Sequence, residues 1–133
     1  MQPVAPGWTG SWTVEVVERV VNGEGLPVRI VQYPLATLGG VPAANDAVIE
    51  AFRRLQERES EMLRYGGLKI VADGSIQGYT AVMNWPGYVT GAPNGLWQVP
   101  PDSLGASISA FHRAGIPVHV HCNGDAVIDA MID

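Results

Sequence analysis

The chain has 133 residues, enough for one domain that buries roughly two-thirds of its unfolded surface. Hydrophobic residues at 47% against 16% charged exclude a disordered polymer, and a net charge of -5 with eight Lys and Arg argues against a nucleic-acid partner. A lone cysteine, Cys122, excludes an internal disulfide and suits a reducing compartment.

Residues 1–12 have no basic segment leading into an apolar core, so no signal peptide is expected. No apolar run nears the ~20 residues that cross a bilayer. A cytoplasmic protein with no membrane partner is the expectation. Residues 1–10 hold two prolines and two glycines and read as an irregular lead-in. Ser11 is placed to cap a helix whose apolar stripe is Trp12, Val16 and Val20, with Val17 and Val21 beside it and Asn22-Gly23 as its stop. Residues 26–33 read as a strand apolar enough to be buried on both faces.

After a Gly39-Gly40 turn, Asn45 or Asp46 caps a long predicted helix over 47–64, with Val48, Phe52, Leu55 and Met62 facing the core. Arg53, Arg54, Arg58 and Arg64 read as its solvated side. Gly66-Gly67 ends it, and 68–73 form the next strand. Pro100-Pro101-Asp102 opens another helix, with Leu104, Ile108 and Phe111 inward and Gly115 as the stop. Strand 118–121 follows, and Asp125 caps a last helix. Strands alternating with helices predict an α/β fold of right-handed βαβ units on a parallel sheet.

From 74 to 99 neither periodicity holds. This stretch is rich in Gly and Pro and contains Tyr79, Trp85, Tyr88 and Trp97. Loops this long are usually functional or disordered, and the aromatics oppose disorder. It leaves the C-terminal end of a strand, where α/β proteins place their sites. A substrate-covering loop is the favoured reading; a hydrophobic plug or subunit contact is the plainer one.

Strand parity sorts the residues able to do chemistry. Lys69, Val71 and Asp73 share one face, as do His119 and His121 on the later strand. Lys69, Asp73, His119 and His121 can therefore converge. A buried, unpaired lysine is costly, and two outcomes relieve it. One is an ion pair with an inward carboxylate such as Asp73. The other begins with the neutral amine, which burial favours, and ends in a carbamate after reaction with carbon dioxide, an oxygen ligand able to bridge two divalent metals. His121 would add an imidazole nitrogen, which suits zinc and similar metals. Metal-activated water then attacks a carbonyl.

The runs Leu68-Lys69-Ile70-Val71-Ala72-Asp73-Gly74-Ser75-Ile76-Gln77-Gly78-Tyr79-Thr80-Ala81 and His121-Cys122-Asn123-Gly124-Asp125-Ala126 resemble the amidohydrolase superfamily, in particular its YtcJ-type branch with the N-substituted formamide deformylases. The resemblance extends over most of the chain from Leu26 onward. It implies a (β/α)8 barrel and metal-dependent hydrolysis of a carbon–nitrogen bond other than a peptide bond. It further implies that Lys69 is the metal-bridging, often carboxylated, lysine of the fourth strand and His121 the metal-ligand histidine of the fifth. The expected cofactor is one or two divalent ions, zinc foremost, with carbon dioxide as the lysine carbamate. The expected partners are a small amide-like substrate and further copies of the chain.

The family's His-x-His pair has no counterpart before Lys69, where no histidine occurs. Its sixth-strand histidine and the proton-transfer aspartate of the eighth strand would lie beyond Asp133. The chain thus reads as about three of eight βα units, since a barrel of this kind takes about 250 residues. No catalytic residue is expected within it, and the chain alone is expected to be inactive.

Other residues have plainer readings. His119 reads as a core histidine rather than a ligand, and His119-Val120-His121 as a first-strand His-x-His pair is disfavoured by its flanks. Asp73 and Asp125, beside turn glycines, read as structural or ligand-orienting. Cys122 reads as a small buried residue rather than a nucleophile, and His112 as solvated at a helix C-terminus. The alternative from another class is a non-catalytic α/β module that covers its exposed edges by self-association. A flavodoxin-like binder is weaker still, for want of a Gly-rich phosphate loop.

Overall fold

Three runs of chain lie parallel, and the first two are each followed by a segment that returns the chain to the start of the next. The computed structural model describes residues 11–23, 27–38, 41–42 and 46–132. In chain order these form α1 (Ser11–Gly23), β1 (Ile30–Gln32), β2 (Thr37–Leu38), β3 (Val41–Pro42), α2 (Asp46–Gln56), β4 (Leu63–Tyr65), β5 (Leu68–Val71), α3 (Pro101–Arg113), β6 (Val118–His121) and α4 (Asp125–Ile132). The irregular lead-in, the Asn45 cap and the Gly39-Gly40 turn lie outside the described residues, as does the Trp12 side chain.

β1 pairs in parallel with β4, Ile30 opposite Leu63 and Gln32 opposite Tyr65. The same run continues beside β5 through a parallel bridge between Leu35 and Lys69. There Lys69 N donates to Pro34 O and Ala36 N to Lys69 O, each at 2.8 Å. β5 pairs in parallel with β6 from Leu68–Val118 to Val71–His121. The spatial order is therefore the 30–36 run, then β4 continuing into β5, then β6. β2 and β3 form a small antiparallel hairpin after the first run. β4 and β5 are one strand bent at a glycine pair. A Cβ on Gly67 would lie 2.3 Å from the Pro117 carbonyl oxygen, so only glycine lets the strand pass that close.

The core joins Val14 and Val21 of α1, Val48, Phe52 and Leu55 of α2, Leu63, Leu68 and Ile70 of the bent strand, and Leu104 and Phe111 of α3. α3 follows its predicted bounds, from Pro101 at its first turn to a left-handed Gly115, φ 74°, just past its end. α1 buries a different stripe from the expected one. Val14, Glu18 and Val21 face inward, while Val16 is 46% exposed. The charged Glu18 concealed this face from an apolar pattern. Its carboxylate accepts a hydrogen bond from the Tyr65 hydroxyl at 2.6 Å and pairs with Arg58. Burial, then the bond to Glu18, pushes the Tyr65 phenol far above its ordinary range.

Two other expectations are corrected. The first strand is not buried on both faces: Val31 is 53% exposed, its side chain turned to the face opposite those of Ile30 and Gln32. The long helix over 47–64 stops at Gln56, and Met62 is partly buried without being helical. Two polar side chains turn the chain. Ser60 Oγ accepts from Met62 N at 3.3 Å and Leu63 N at 3.2 Å, and Glu59 Oε1 accepts from Tyr65 N at 2.9 Å. Such local bonds compete with helix. Leu63, Arg64 and Tyr65 then alternate buried, exposed, buried as β4. Arg58 and Arg64 therefore leave the helix surface, Arg58 to Glu18 and Arg64 to Glu59.

Glu18→Ala is expected to cost about 2 kcal/mol in urea denaturation, because the Tyr65 hydroxyl loses its acceptor while Arg58 keeps access to water; Glu18→Gln should cost less. Glu59 adds an acid-sensitive part. The Tyr65 amide first, then Arg64, hold its carboxyl below the usual 4.5. A carboxyl lowered on folding stabilises above its unfolded pKa and loses that contribution as pH falls through the folded value. Stability measured below pH 4.5 should accordingly fall less steeply in Glu59→Gln than in the parent chain.

Candidate functional site

Along β5, Leu68 and Ile70 are fully buried while Lys69 and Val71 are half-buried. The register sets Lys69 beside His119 and Val71 beside His121. Lys69, His119 and His121 therefore share the face turned away from Leu68 and Ile70. His119 is exposed, not a core residue, and its ring lies 4.0 Å from that of Tyr33. The face it occupies is open, so its partner is an aromatic ring rather than a core hydrogen bond.

The Lys69–Asp73 ion pair is not formed: among the described residues Lys69 has no carboxylate within ion-pair distance. Asp73 is fully buried and spent elsewhere. Its Oδ1 accepts from Asn123 N at 3.0 Å, and its Oδ2 from Val82 N at 3.1 Å and Gly124 N at 2.8 Å. One carboxylate thus joins the end of β5, the long loop and the turn from β6 into α4. Gly124 lets that turn approach, since a Cβ there would fall 1.9 Å from the Val82 carbonyl oxygen. Asp125 is structural as well: its Oδ1 accepts from Asn84 N at 2.8 Å and Ala126 N at 3.0 Å.

His121, at the end of β6, is half-buried. Its Nε2 lies 3.2 Å from the Gly74 carbonyl oxygen and 3.0 Å from Asn123 Nδ2, and that Nδ2 donates to the same oxygen at 2.9 Å. Sequence reasoning missed Asn123 and Tyr33. Asn123 stands two residues after His121, a spacing that could have placed it on the same side; Tyr33 was hidden by the reading of its strand as wholly buried. Burial, reinforced by Asp73 and opposed by Lys69, raises the Cys122 thiol above its ordinary range, which keeps it protonated at neutral pH. His112 is exposed in the last turn of α3.

The stretch from 74 to 99 has turns but no helix or strand. It is nonetheless braced. Asn94 brackets Met83 with bonds of 2.8 and 2.7 Å, Tyr88 donates to Ala81 O at 2.9 Å, and the Tyr79 and Tyr88 rings meet edge to face. Trp97 packs on the core, while Trp85 is 94% and Val89 99% exposed.

These residues meet part of a metal's needs. An imidazole nitrogen and a lysine with no carboxylate partner share one half-sheltered face. Both carboxylate oxygens of Asp73 are committed to amides, and no group of three His, Cys, Asp or Glu fit to hold a metal occurs among the described residues. The His121 imidazole is a group that suits a divalent ion, but the described residues alone do not complete a coordination sphere.

A family model described as the amidohydrolase family matches residues 3–133. A Bacillus subtilis (strain 168) protein carried under the name amidohydrolase YtcJ is 26% identical over 85 residues, 64% of this chain and 16% of that protein. Two crystal structures of uncharacterized metal-dependent hydrolases share the fold. The one from Pyrococcus furiosus has a TM-score of 0.63 at 22% identity, over 90% of this chain and 24% of the other. The one from Pyrococcus horikoshii OT3 has a TM-score of 0.65 at 18% identity, over 90% of this chain and 23% of the other. The chain thus spans less than a quarter of each relative's length.

The clamp predicts its own weak point. Asp73→Asn replaces one acceptor oxygen with a donor facing a backbone N–H, and about 2–4 kcal/mol of stability should be lost. Hydrogen exchange at the Val82, Asn123 and Gly124 amides should accelerate together; an effect confined to one of them would contradict a shared clamp.

Proposed function

Because the chain belongs to the amidohydrolase family, we propose that it is part of a metal-dependent hydrolase whose ion is held in part by Lys69 and His121. The observation that carries this reading is their placement on one face of two directly paired parallel strands, Lys69 on β5 and His121 at the end of β6. The three parallel runs are then the third, fourth and fifth units of a (β/α)8 barrel, whose interior is the face bearing Lys69. The bond cleaved is a carbon–nitrogen bond other than a peptide bond.

A bound divalent ion, zinc foremost, supplies the Lewis acidity that polarises a carbonyl and acidifies water. Lys69 would serve as an oxygen donor: its ammonium loses a proton to give the neutral amine, which adds to carbon dioxide and loses a second proton, leaving an anionic carbamate. His121 supplies a nitrogen donor. Asp73 holds the strand end and the β6–α4 turn together, so that both donors keep their spacing. The loop over 74–99 offers Tyr79, Trp85 and Tyr88 to an apolar group of an amide-like substrate. Proton transfer falls to an aspartate of the complete protein that lies outside this chain.

Cobalt titration of the complete protein, followed by visible absorption, tests the assignment. Lys69→Ala and His121→Ala are each expected to weaken binding by about 100-fold or more, since even residues that only support a ligand cost 10–100-fold. Unchanged affinity in either variant would remove that residue from the site. An absence of stoichiometric metal in the unaltered protein would favour the non-catalytic module instead. Coding DNA upstream should specify His-x-His, and DNA downstream a histidine and an aspartate.

A further inference from the structure

Gly74 O, Asn123 Nδ2 and His121 Nε2 form a near-equilateral triangle with edges of 2.9, 3.0 and 3.2 Å. A carbonyl oxygen only accepts, so the Asn123 group facing it must be the amide NH2. Its two hydrogens diverge more widely than the other two corners of the triangle, so bonds to both would be bent. A carbonyl oxygen accepts over a broad range of directions and can serve two donors at once. The arrangement with the straighter bonds has both nitrogens donating to Gly74 O.

We propose that Asn123 is a positioning residue for His121. By donating to the Gly74 carbonyl it pins that oxygen against Nε2, which keeps the imidazole proton on Nε2 and the lone pair on Nδ1. Two backbone features support the pin. Asn123 N is itself tied to Asp73 at 3.0 Å, so the side chain extends from a fixed point. Gly74 is the first residue of the long loop, and its own amide donates to Thr80 O at 3.1 Å. The imidazole is therefore referenced to the root of that loop, and a shift of the loop at Gly74 would free the ring. For its consequence in the enzyme, this inference rests on His121 being a metal ligand, because the lone-pair nitrogen is then the ligating one and its opposite N–H is the group that needs a carbonyl partner.

The test begins without metal. Long-range proton–nitrogen NMR on the labelled 133-residue chain at pH ~8, above the ordinary imidazole range, should show His121 protonated at Nε2. Its N–H proton should be slow enough in exchange to be observed directly. In Asn123→Ala that proton should exchange at least tenfold faster, while the backbone amide spectrum away from 121–125 stays in place. A ring proton on Nδ1 in the unaltered chain overturns the proposal by itself, even if the variant fails to fold. An unchanged exchange rate in a folded variant overturns it too. In the complete protein, Asn123→Ala should weaken cobalt binding by 10–100-fold. If His121→Ala leaves cobalt affinity unchanged, the ligand reading falls, while the NMR result still decides the role of Asn123.

Discussion

The local architecture depends on one buried anion. Asp73 is wholly removed from water, and an isolated carboxylate there would be prohibitively expensive. Three backbone amides meet it, from Val82, Asn123 and Gly124. Each is a donor that would otherwise need a partner in a stretch without regular structure. The bond set therefore works in both directions: the amides make burial of the charge tolerable, and the charge gives the loop and the turn a common anchor. The approach requires glycine at 124, since a side chain there would strike the Val82 carbonyl. Sequence adjacency of Asp to Gly at 73–74 and of Gly to Asp at 124–125 is thus two halves of one junction.

That junction explains how a long irregular loop can stay attached to the end of a short strand. From 74 to 99 the chain has no ladder, yet its root is fixed at Gly74 and Val82, its middle at Asn84 on Asp125 and Asp129, and its return at Gln98, which donates to Ala72 O at 2.8 Å. Between these points Trp85 and Val89 remain almost wholly exposed. The loop is braced at its base and presents apolar groups at its tip. This division suits a segment that must hold position at the strand ends while meeting something apolar beyond them.

Much of this was legible from residue order. β5 and β6 announce themselves as short apolar runs that end near an Asp-Gly or Gly-Asp pair, and α3 by an apolar stripe at helical spacing with Pro101 and Gly115 marking its ends. Placement of Lys69, His119 and His121 on one face follows from strand parity. What escaped were features where a polar residue does a core residue's job. Glu18 sits on the buried stripe of α1 because Tyr65 and Arg58 satisfy it, and hydrophobic pattern alone points to the wrong side of that helix. The run 56–61 is polar and helix-compatible, so pattern alone extends the preceding helix through β4; only the side-chain bonds of Glu59 and Ser60, which compete with helical ones, reveal the break. Asn123 escaped for a related reason. An asparagine in a turn is ordinarily read as turn chemistry, and its contact with Gly74 connects positions far apart in sequence.

Charge placement gives the clearest distinction between structure and site. Glu18 and Asp73 are both buried, and both are satisfied within the described residues, one by a phenol and a guanidinium, the other by amides. Lys69 differs. It lies mid-strand, half-sheltered, beside two histidines, with no carboxylate in reach. The nearest acid in sequence, Asp73, is fully engaged with backbone amides. In the same neighbourhood His121 directs Nε2 at a carbonyl, which leaves its other nitrogen without a protein partner among the described residues. Two adjacent strands thus each present one group whose bonding capacity the surrounding protein does not exhaust. A cation held by the His121 nitrogen and a Lys69 carbamate would use both, and that incompleteness, more than any single contact, supports reading this face as the site.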